Sequence, residues 1–349
     1  MNRKRWIYAG SALAVALIAV LYLNRGALAM LGFDWFVEGH VKEQLEKTYQ
    51  PLEGRENNYP TNVVNKKADP IAFLLMGIDQ RGKETGRSDT LLYAVVRPSD
   101  GNILLVSIPR DMYVEIVGRD RKDKINHAFA FGGAGMSMDT VEKLLDSPVH
   151  YYASINFEGF KQVIDELGGI ALPIEKDIEN KDPNHDYFFI KGGQSLYNGT
   201  DALNFVRYRE DAGGDMSRTE RNQQLLSAMM DKATNMNQWM KIPQLINILG
   251  NNFQTDMRPD NLVDLAQVML QSKQRNIYNH TLAGEGHRLE SGGAWYYFAD
   301  EKDLSKVQAM IKNWLDPSVK DANLILPEKY LKDKESQVQS ITSAADRSE

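Results

Sequence analysis

Residues 71–111 read IAFLLMGIDQRGKETGRSDTLLYAVVRPSDGNILLVSIPRD. Three apolar runs stand out, Ile71–Ile78, Thr90–Val96 and Ile103–Ile108. Each is too short for an ordinary helix and has the length and β-branched content of a buried strand. Pro98-Ser99-Asp100-Gly101-Asn102 is a strong turn signal, so the second and third runs form a hairpin. Charge collects where these runs stop. Asp79 ends the first, Asp89 precedes the second, and Arg110 follows the third within Ser107-Ile108-Pro109-Arg110-Asp111.

Working outward, Met112–Val117 reads as an extension of the sheet, and Tyr151–Asn156 and Ile277–Ala283 as further strands. Between and after them lie helix candidates over Met138–Leu145, Phe157–Leu167, Thr200–Val206, Arg218–Ala233, Pro259–Gln271 and Asp300–Leu315. Gly168-Gly169 is a C-cap signature and Pro259 suits a first helical turn. Strands separated by helices imply an α/β domain whose sheet is covered on both faces.

The N-terminus carries an address. Arg3, Lys4 and Arg5 precede an uncharged apolar run of 18 residues, Trp6–Leu23. At helical rise this run spans roughly 27 Å, close to a bilayer core. The basic flank keeps residues 1–5 in the cytoplasm and sends the rest of the chain outside. The run exceeds a signal-peptide core, so an uncleaved single-pass anchor is favoured over cleavage near Ala27-Leu28-Ala29. The expected organisation is a span at 6–23, a juxtamembrane segment and linker at 24–69, an extracytoplasmic folded domain at 70–317 and a frayed polar tail at 318–349. A juxtamembrane helix is expected within Phe33–Tyr49.

The chain of 349 residues is 42% hydrophobic and 25% charged, enough for a sizeable core. Its net charge of −6 means that any anion site is a local cation cluster and not a global field. The absence of cysteine removes disulfides, thiolate metal sites and cysteine nucleophiles. No P-loop, His-Glu-x-x-His or Gly-x-Ser-x-Gly motif occurs, which argues against P-loop, zinc-protease and serine-hydrolase chemistry. The six histidines show no zinc spacing.

Asp79 and Asp89 flank a polar loop holding Arg81, Gly82, Gly86 and Arg87. Two carboxylates at one mouth of a sheet supply part of a coordination shell, which suits Mg²⁺. Solvated surface ion pairs are the plain alternative. Arg207-Tyr208-Arg209 would project both guanidiniums to one side of an extended backbone. Arg218 and Arg221 fall three apart, near a helix start capped by Ser217. Cations at a helix N-terminus are disfavoured unless an anion docks there. Arginine also matches phosphate oxygens bidentately. Alternatively these arginines pair with Glu210, Asp211, Asp215 and Glu220. Taken together, the cations and acids describe a pyrophosphate clamp. His127, in Lys124-Ile125-Asn126-His127, reads as structural ahead of a catalytic base.

These pieces in this order resemble the LytR–CpsA–Psr family. The matching residues are Gly77-Ile78-Asp79 with Arg81, Arg87-Ser88-Asp89-Thr90, Ser107–Asp111, Asn198-Gly199 before Ala202-Leu203, Val206–Arg209, and Asp215–Gln224. The resemblance implies an α–β–α layered domain with a central mixed sheet and an apolar tunnel for a polyprenyl chain. It implies Mg²⁺, with Mn²⁺ as an alternative, on Asp79 and Asp89. It implies phosphate contacts from Arg81, Arg87, Arg110, Arg207, Arg209, Arg218 and Arg221, and Asp215 as the base. Arg110 and Arg218 would also act in catalysis. Asn222 stands where the family often has Gln, with Gln223 following, which puts its phosphate contact in question. Leu225, Leu226, Met229, Met230, Leu245, Ile246 and Ile248 would line the tunnel or serve as ordinary core.

The activity implied is transfer of a glycopolymer such as wall teichoic acid from polyprenyl pyrophosphate to peptidoglycan, at the cell membrane. A non-catalytic sensor of wall precursors and a polyprenyl-pyrophosphate pyrophosphatase are the alternatives. Nucleic acid is not an expected partner, because no basic recognition helix appears.

Overall fold

The computed structural model describes residues 42–55, 69–79, 86–181, 187–208, 252–271, 276–290 and 293–331, with single positions between 221 and 250. Six strands form one mixed sheet in the order β10-β3-β2-β1-β6-β9. They are β1 (Ile71–Asp79), β2 (Arg87–Arg97), β3 (Asn102–Ile108), β6 (Tyr151–Asn156), β9 (Phe253–Thr255) and β10 (Asn276–Thr281). β1 runs antiparallel to β2 and parallel to β6, while β3 is antiparallel to β2 and parallel to β10. The C-terminal ends of β1, β3, β6 and β10 therefore share one edge with the N-terminal ends of β2 and β9.

Alternation along the strands gives the sheet two apolar faces. Leu74, Met76, Leu91, Tyr93, Leu104 and Val106 point to one face. There they meet Met138, Val141 and Leu145 of α2 (His127–Leu145) and Val307, Ile311 and Trp314 of α6 (Glu301–Leu315). Phe73, Ala94, Ile103 and Leu105 point to the other, against Leu262, Leu265 and Met269 of α5 (Pro259–Gln271). Helices thus cover both faces of a mixed sheet. A satellite core joins α3 (Phe157–Glu166) to α4 (Gly199–Arg207) through Ile164, Ala202, Phe205 and Leu225. Leu225 is ordinary core there.

Several elements differ from the expected ones. β2 starts at Arg87, because the polar Arg87–Asp89 segment pairs with the end of β1. Met112–Val117 does not extend the sheet. β4 (Tyr113–Ile116) pairs with β5 (Arg121–Lys124) in a separate ribbon, as β7 (Ile178–Asn180) does with β8 (Phe188–Ile190) in another. α2 begins eleven residues before the expected Met138 and is kinked at Gly132 and Gly133, the latter at φ 64°. The tail also differs. Leu324 and Leu326 are buried in the main core, with Val319 and Tyr330 packed against it, so residues 319–330 are part of the domain. Within the juxtamembrane stretch, α1 spans Lys42–Thr48. The expected membrane span at 6–23 lies outside the described residues. Among the described residues no helix is long and apolar enough to cross a membrane.

Candidate functional site

Of the charged residues that the sequence singled out, the edge at the C-terminal ends of β1, β3 and β6 brings together Asp79, Arg87, Asp89, Arg110 and Arg207. Asp79 and Arg87 are directly opposed across β1 and β2. One step in from them the register shifts. Ile78 faces Ser88 and Gly77 faces Thr90, so Asp89 is the extra residue of a β-bulge. Bulges re-aim a side chain and recur beside functional sites. Gly77 sits at this one, where a Cβ would make a tight 3.3 Å contact with Thr90 Cβ.

Asp89 accepts a hydrogen bond from Arg110 Nη1 in an ion pair. Arg110 follows β3 by two residues, so the pair ties the end of one strand to the bulge on its neighbour. Arg110 Nε lies 3.4 Å from Asp111 Oδ2, and Lys124 Nζ donates to Asp111 Oδ1 at 2.7 Å. The side chains of Asp89 and Arg110 are 26% and 16% exposed, so the pair is open to a solute. An open ion pair of this kind contributes little to stability by itself.

β6 leads directly into α3, and Ile78 of β1 pairs with Asn156, the N-cap of that helix. Asn156 Oδ1 accepts from Gly159 N–H at 2.8 Å. The partial positive charge of the α3 N-terminus therefore sits at the same edge. Arg207 lies over the ring of Phe157, the first residue of α3, at 5.5 Å. Arg207 closes α4 and is helical, not extended as the Arg207-Tyr208-Arg209 reading required; extended backbone begins at Tyr208. A cation at a helix C-terminus is favoured by the helix dipole.

Arg221 is buried, donates Nη2–H to Tyr208 O at 2.6 Å, and lies over the rings of Phe205 and Tyr208. These contacts clasp the end of α4. His127 lies 2.9 Å from Asp123 and edge-on to Phe131, a structural setting. Burial works to raise the Asp123 carboxyl, but His127 and the Lys124 N–H outweigh it and hold it below the usual value. Arg81, Arg209, Asp215, Arg218 and Asn222 lie outside the described residues.

Sequence reasoning missed three parts of this edge. The bulge at Asp89 was signalled only by Gly77. The α3 N-terminus with Phe157 beneath Arg207 needed the parallel β1–β6 pairing. The Asp111–Lys124 link needed the β4–β5 ribbon to fold back.

The chain is similar to a set of known proteins. The model of the LytR_cpsA_psr family matches residues 36–313. The polyisoprenyl-teichoic acid–peptidoglycan teichoic acid transferase TagU of Bacillus cereus is 35% identical over 289 residues, covering 82% of this chain and 91% of that protein. The crystal structure of TagV from B. subtilis superposes with a TM-score of 0.60 at 31% identity, over 71% of this chain and 98% of the other. A structure of TagT bound to LIIa-WTA gives a TM-score of 0.59 at 26% identity, over 76% of this chain and 99% of the other.

Proposed function

Because the chain belongs to the LytR–CpsA–Psr family, we propose that it transfers a glycopolymer of the wall teichoic acid type from polyprenyl pyrophosphate to peptidoglycan. The observation that carries this reading is the gathering of Asp79, Arg87, Asp89, Arg110, Arg207 and the α3 N-terminus at one edge of the sheet. Phosphoryl transfer is catalysed mainly by positioning and by neutralising charge on the transferring group. This edge offers both to a diphosphate.

In the proposed reaction an acceptor hydroxyl oxygen attacks the phosphorus that carries the polymer. A phosphodiester P–O bond forms as the bond from that phosphorus to the bridging oxygen breaks. Polyprenyl phosphate leaves with the bridging oxygen. The hydroxyl proton passes to a base, for which Asp215 is the candidate. Arg110 and Arg207, with Arg87, Arg81, Arg209, Arg218 and Asn222 as further candidates, would hold the phosphate oxygens, while the buried Arg221 braces the end of α4. Guanidinium forks match such oxygens bidentately.

Asp79 and Asp89 are the candidates for holding Mg²⁺ or Mn²⁺. The fit is one of donor chemistry. The acids at this edge are oxygen donors, and among the described residues no group of three or more metal-binding side chains converges. Mg²⁺ is commonly held by one or two carboxylates, completing its shell with water and phosphate. When bound, the ion would neutralise charge on the diphosphate.

The anchor at 6–23 would hold the domain on the outer face of the cell membrane, within reach of a lipid-linked donor. The test is a transfer assay with lipid-linked polymer and teichoic acid-free peptidoglycan. The expected products are polyprenyl phosphate and polymer-bearing peptidoglycan, dependent on Mg²⁺ and lost in Arg218→Ala. Phosphate release without peptidoglycan would point to a pyrophosphatase. No turnover with intact lipid donor would point to a sensor.

A further inference from the structure

Beside the charged edge stands a surface with different chemistry. β11 (Gly284–Arg288) and β12 (Trp295–Ala299) form a two-stranded hairpin following the C-terminal end of β10. It is tied to the Arg110 loop by Tyr297 N–H donating to Asp111 O at 2.9 Å and by a bridge between Met112 and Tyr297. Trp295, Tyr297 and Ala299 pack on the main core. The inner face is closed by Trp295, whose ring would lie 1.8 Å from a Cβ on Gly286, so only glycine fits there. By alternation, Tyr296 and Phe298 face outward.

That outward face is aromatic. Tyr113 of β4 lies 4.8 Å from Tyr296 and 5.5 Å from Phe298 between ring centres. His287 stacks on Phe298 at 4.0 Å and 14°. Lys122 lies over Tyr113 and Lys124 over Tyr296, at 6.0 and 5.8 Å. His287 is exposed, and the three other rings are half-buried.

The tyrosine hydroxyls of this cluster differ from those of the core. The hydroxyls of the buried tyrosines Tyr93, Tyr152, Tyr197 and Tyr297 each donate to a backbone carbonyl. Those of Tyr113 and Tyr296 make no hydrogen bond among the described residues. Half-buried rings with unused hydroxyls are suited to a ligand that offers both apolar faces and hydroxyls. Pyranose rings do so, their C–H faces stacking on aromatic rings while their hydroxyls bond at the rim.

We propose that the outward face of the β11–β12 hairpin, with Tyr113 and the lysines of β5, binds the glycan strand of the acceptor peptidoglycan. This rests on the transferase reading above, and three features select the occupant. The surface is continuous with the reacting edge, since Lys124 lies over Tyr296 and also binds Asp111 beside Arg110. Lys122, exposed over Tyr113, complements the carboxylates of peptide stems, while Lys124 is held by Asp111. Its rings suit a chain of amino sugars better than the flexible phosphodiester backbone of the donor polymer. The acceptor hydroxyl would thus arrive from the hairpin side while the diphosphate occupies the strand ends.

The test uses the full chain in detergent, with teichoic acid-free peptidoglycan sacculi and their muramidase-solubilised glycan oligomers as probes. Tyr296→Ala with Phe298→Ala is expected to weaken co-sedimentation with sacculi about tenfold, and Tyr296→Trp to retain it. In the unmutated chain, the oligomers are expected to slow hydrogen exchange in residues 113–124 and 284–299. This second measurement guards against a variant that fails to fold. Arg110→Ala is expected to lose bound donor lipid yet still sediment with sacculi, which separates this proposal from the donor-site reading. Equal sedimentation of the double variant, or oligomer protection located elsewhere, would overturn the platform.

Discussion

Arg97 and Arg110 stand at opposite ends of the same sheet and serve opposite purposes. Arg97 ends β2 at the edge away from the site. Its guanidinium donates to Trp314 O, Asp316 O and Val319 O at 2.7, 3.2 and 2.6 Å, and its Nε donates to Asp100 at 2.8 Å. It is 3% exposed, and it closes the C-terminus of α6. Arg110 faces carboxylates at the other edge and is 16% exposed. One arginine is buried among three carbonyls and one acid inside the fold, and the other is balanced by acids alone beside an open surface. An arginine at a strand end therefore says nothing of function until its partners are known.

Changes at the two edges should separate folding from chemistry. The largest effect is expected from Arg97→Ala, which leaves the buried Trp314 carbonyl, two part-buried carbonyls and the Asp100 carboxylate without their partner. A loss of about 3–5 kcal/mol is expected, measured by urea unfolding, with normal transfer per folded molecule. Arg110→Ala should do the reverse. Transfer should fall by roughly 10²–10³-fold with little change in unfolding midpoint, as for removal of one charge-stabilising donor. If both variants lost stability and activity together, the contrast between the edges would be wrong.

The closed edge also carries titrating groups. Burial pushes the Asp256 carboxyl up to about 6, against the lowering pull of its backbone hydrogen bonds and of Arg55. Burial pushes His150 down to about 4. The native chain holds the Asp256 proton more tightly than the unfolded chain. That contribution is complete below the ordinary 3.8 and is lost as pH rises through about 6. The His150 contribution is complete above 6.5 and is lost as pH falls toward about 4. The two oppose each other over the same window. Asp256→Asn should remove the first, worth on the order of 2–3 kcal/mol at most. Unfolding midpoints between pH 4 and 7 should then fall more steeply on acidification than those of the unmutated chain. The smallest effect is expected at the open edge. Asn156→Ala should remove the α3 cap at a cost of about 1 kcal/mol, read as a lower melting temperature.

Legibility in the sequence followed the same division. Tyr151–Asn156 and Pro259–Gln271 stand in the structure where periodicity put them, because a buried strand and an amphipathic helix carry local patterns. Residues 87–89 were read as loop because their polarity hides a strand that ends in a bulge. Met112–Val117 was read as part of the sheet, and β5 was not read at all, because a four-residue strand carries no sign of its partner. The start of α2 was missed because Gly132 and Gly133 interrupt its periodicity. At the site, residue types and their order were legible, since arginines and aspartates next to apolar runs are visible in one dimension. Partners were not. That Arg110 meets Asp89 and Arg207 meets Phe157 depends on which strands are neighbours. The aromatic face of the hairpin was invisible for the same reason.

The central claim is that the open edge holds a lipid diphosphate. Mass spectrometry of lipid extracted from the purified full chain and from Arg110→Ala tests it most directly. The account predicts a polyprenyl phosphate or pyrophosphate in the unmutated chain and at least tenfold less in the variant. Equal lipid in both, or none in the unmutated chain after loading with polyprenyl pyrophosphate, would contradict it.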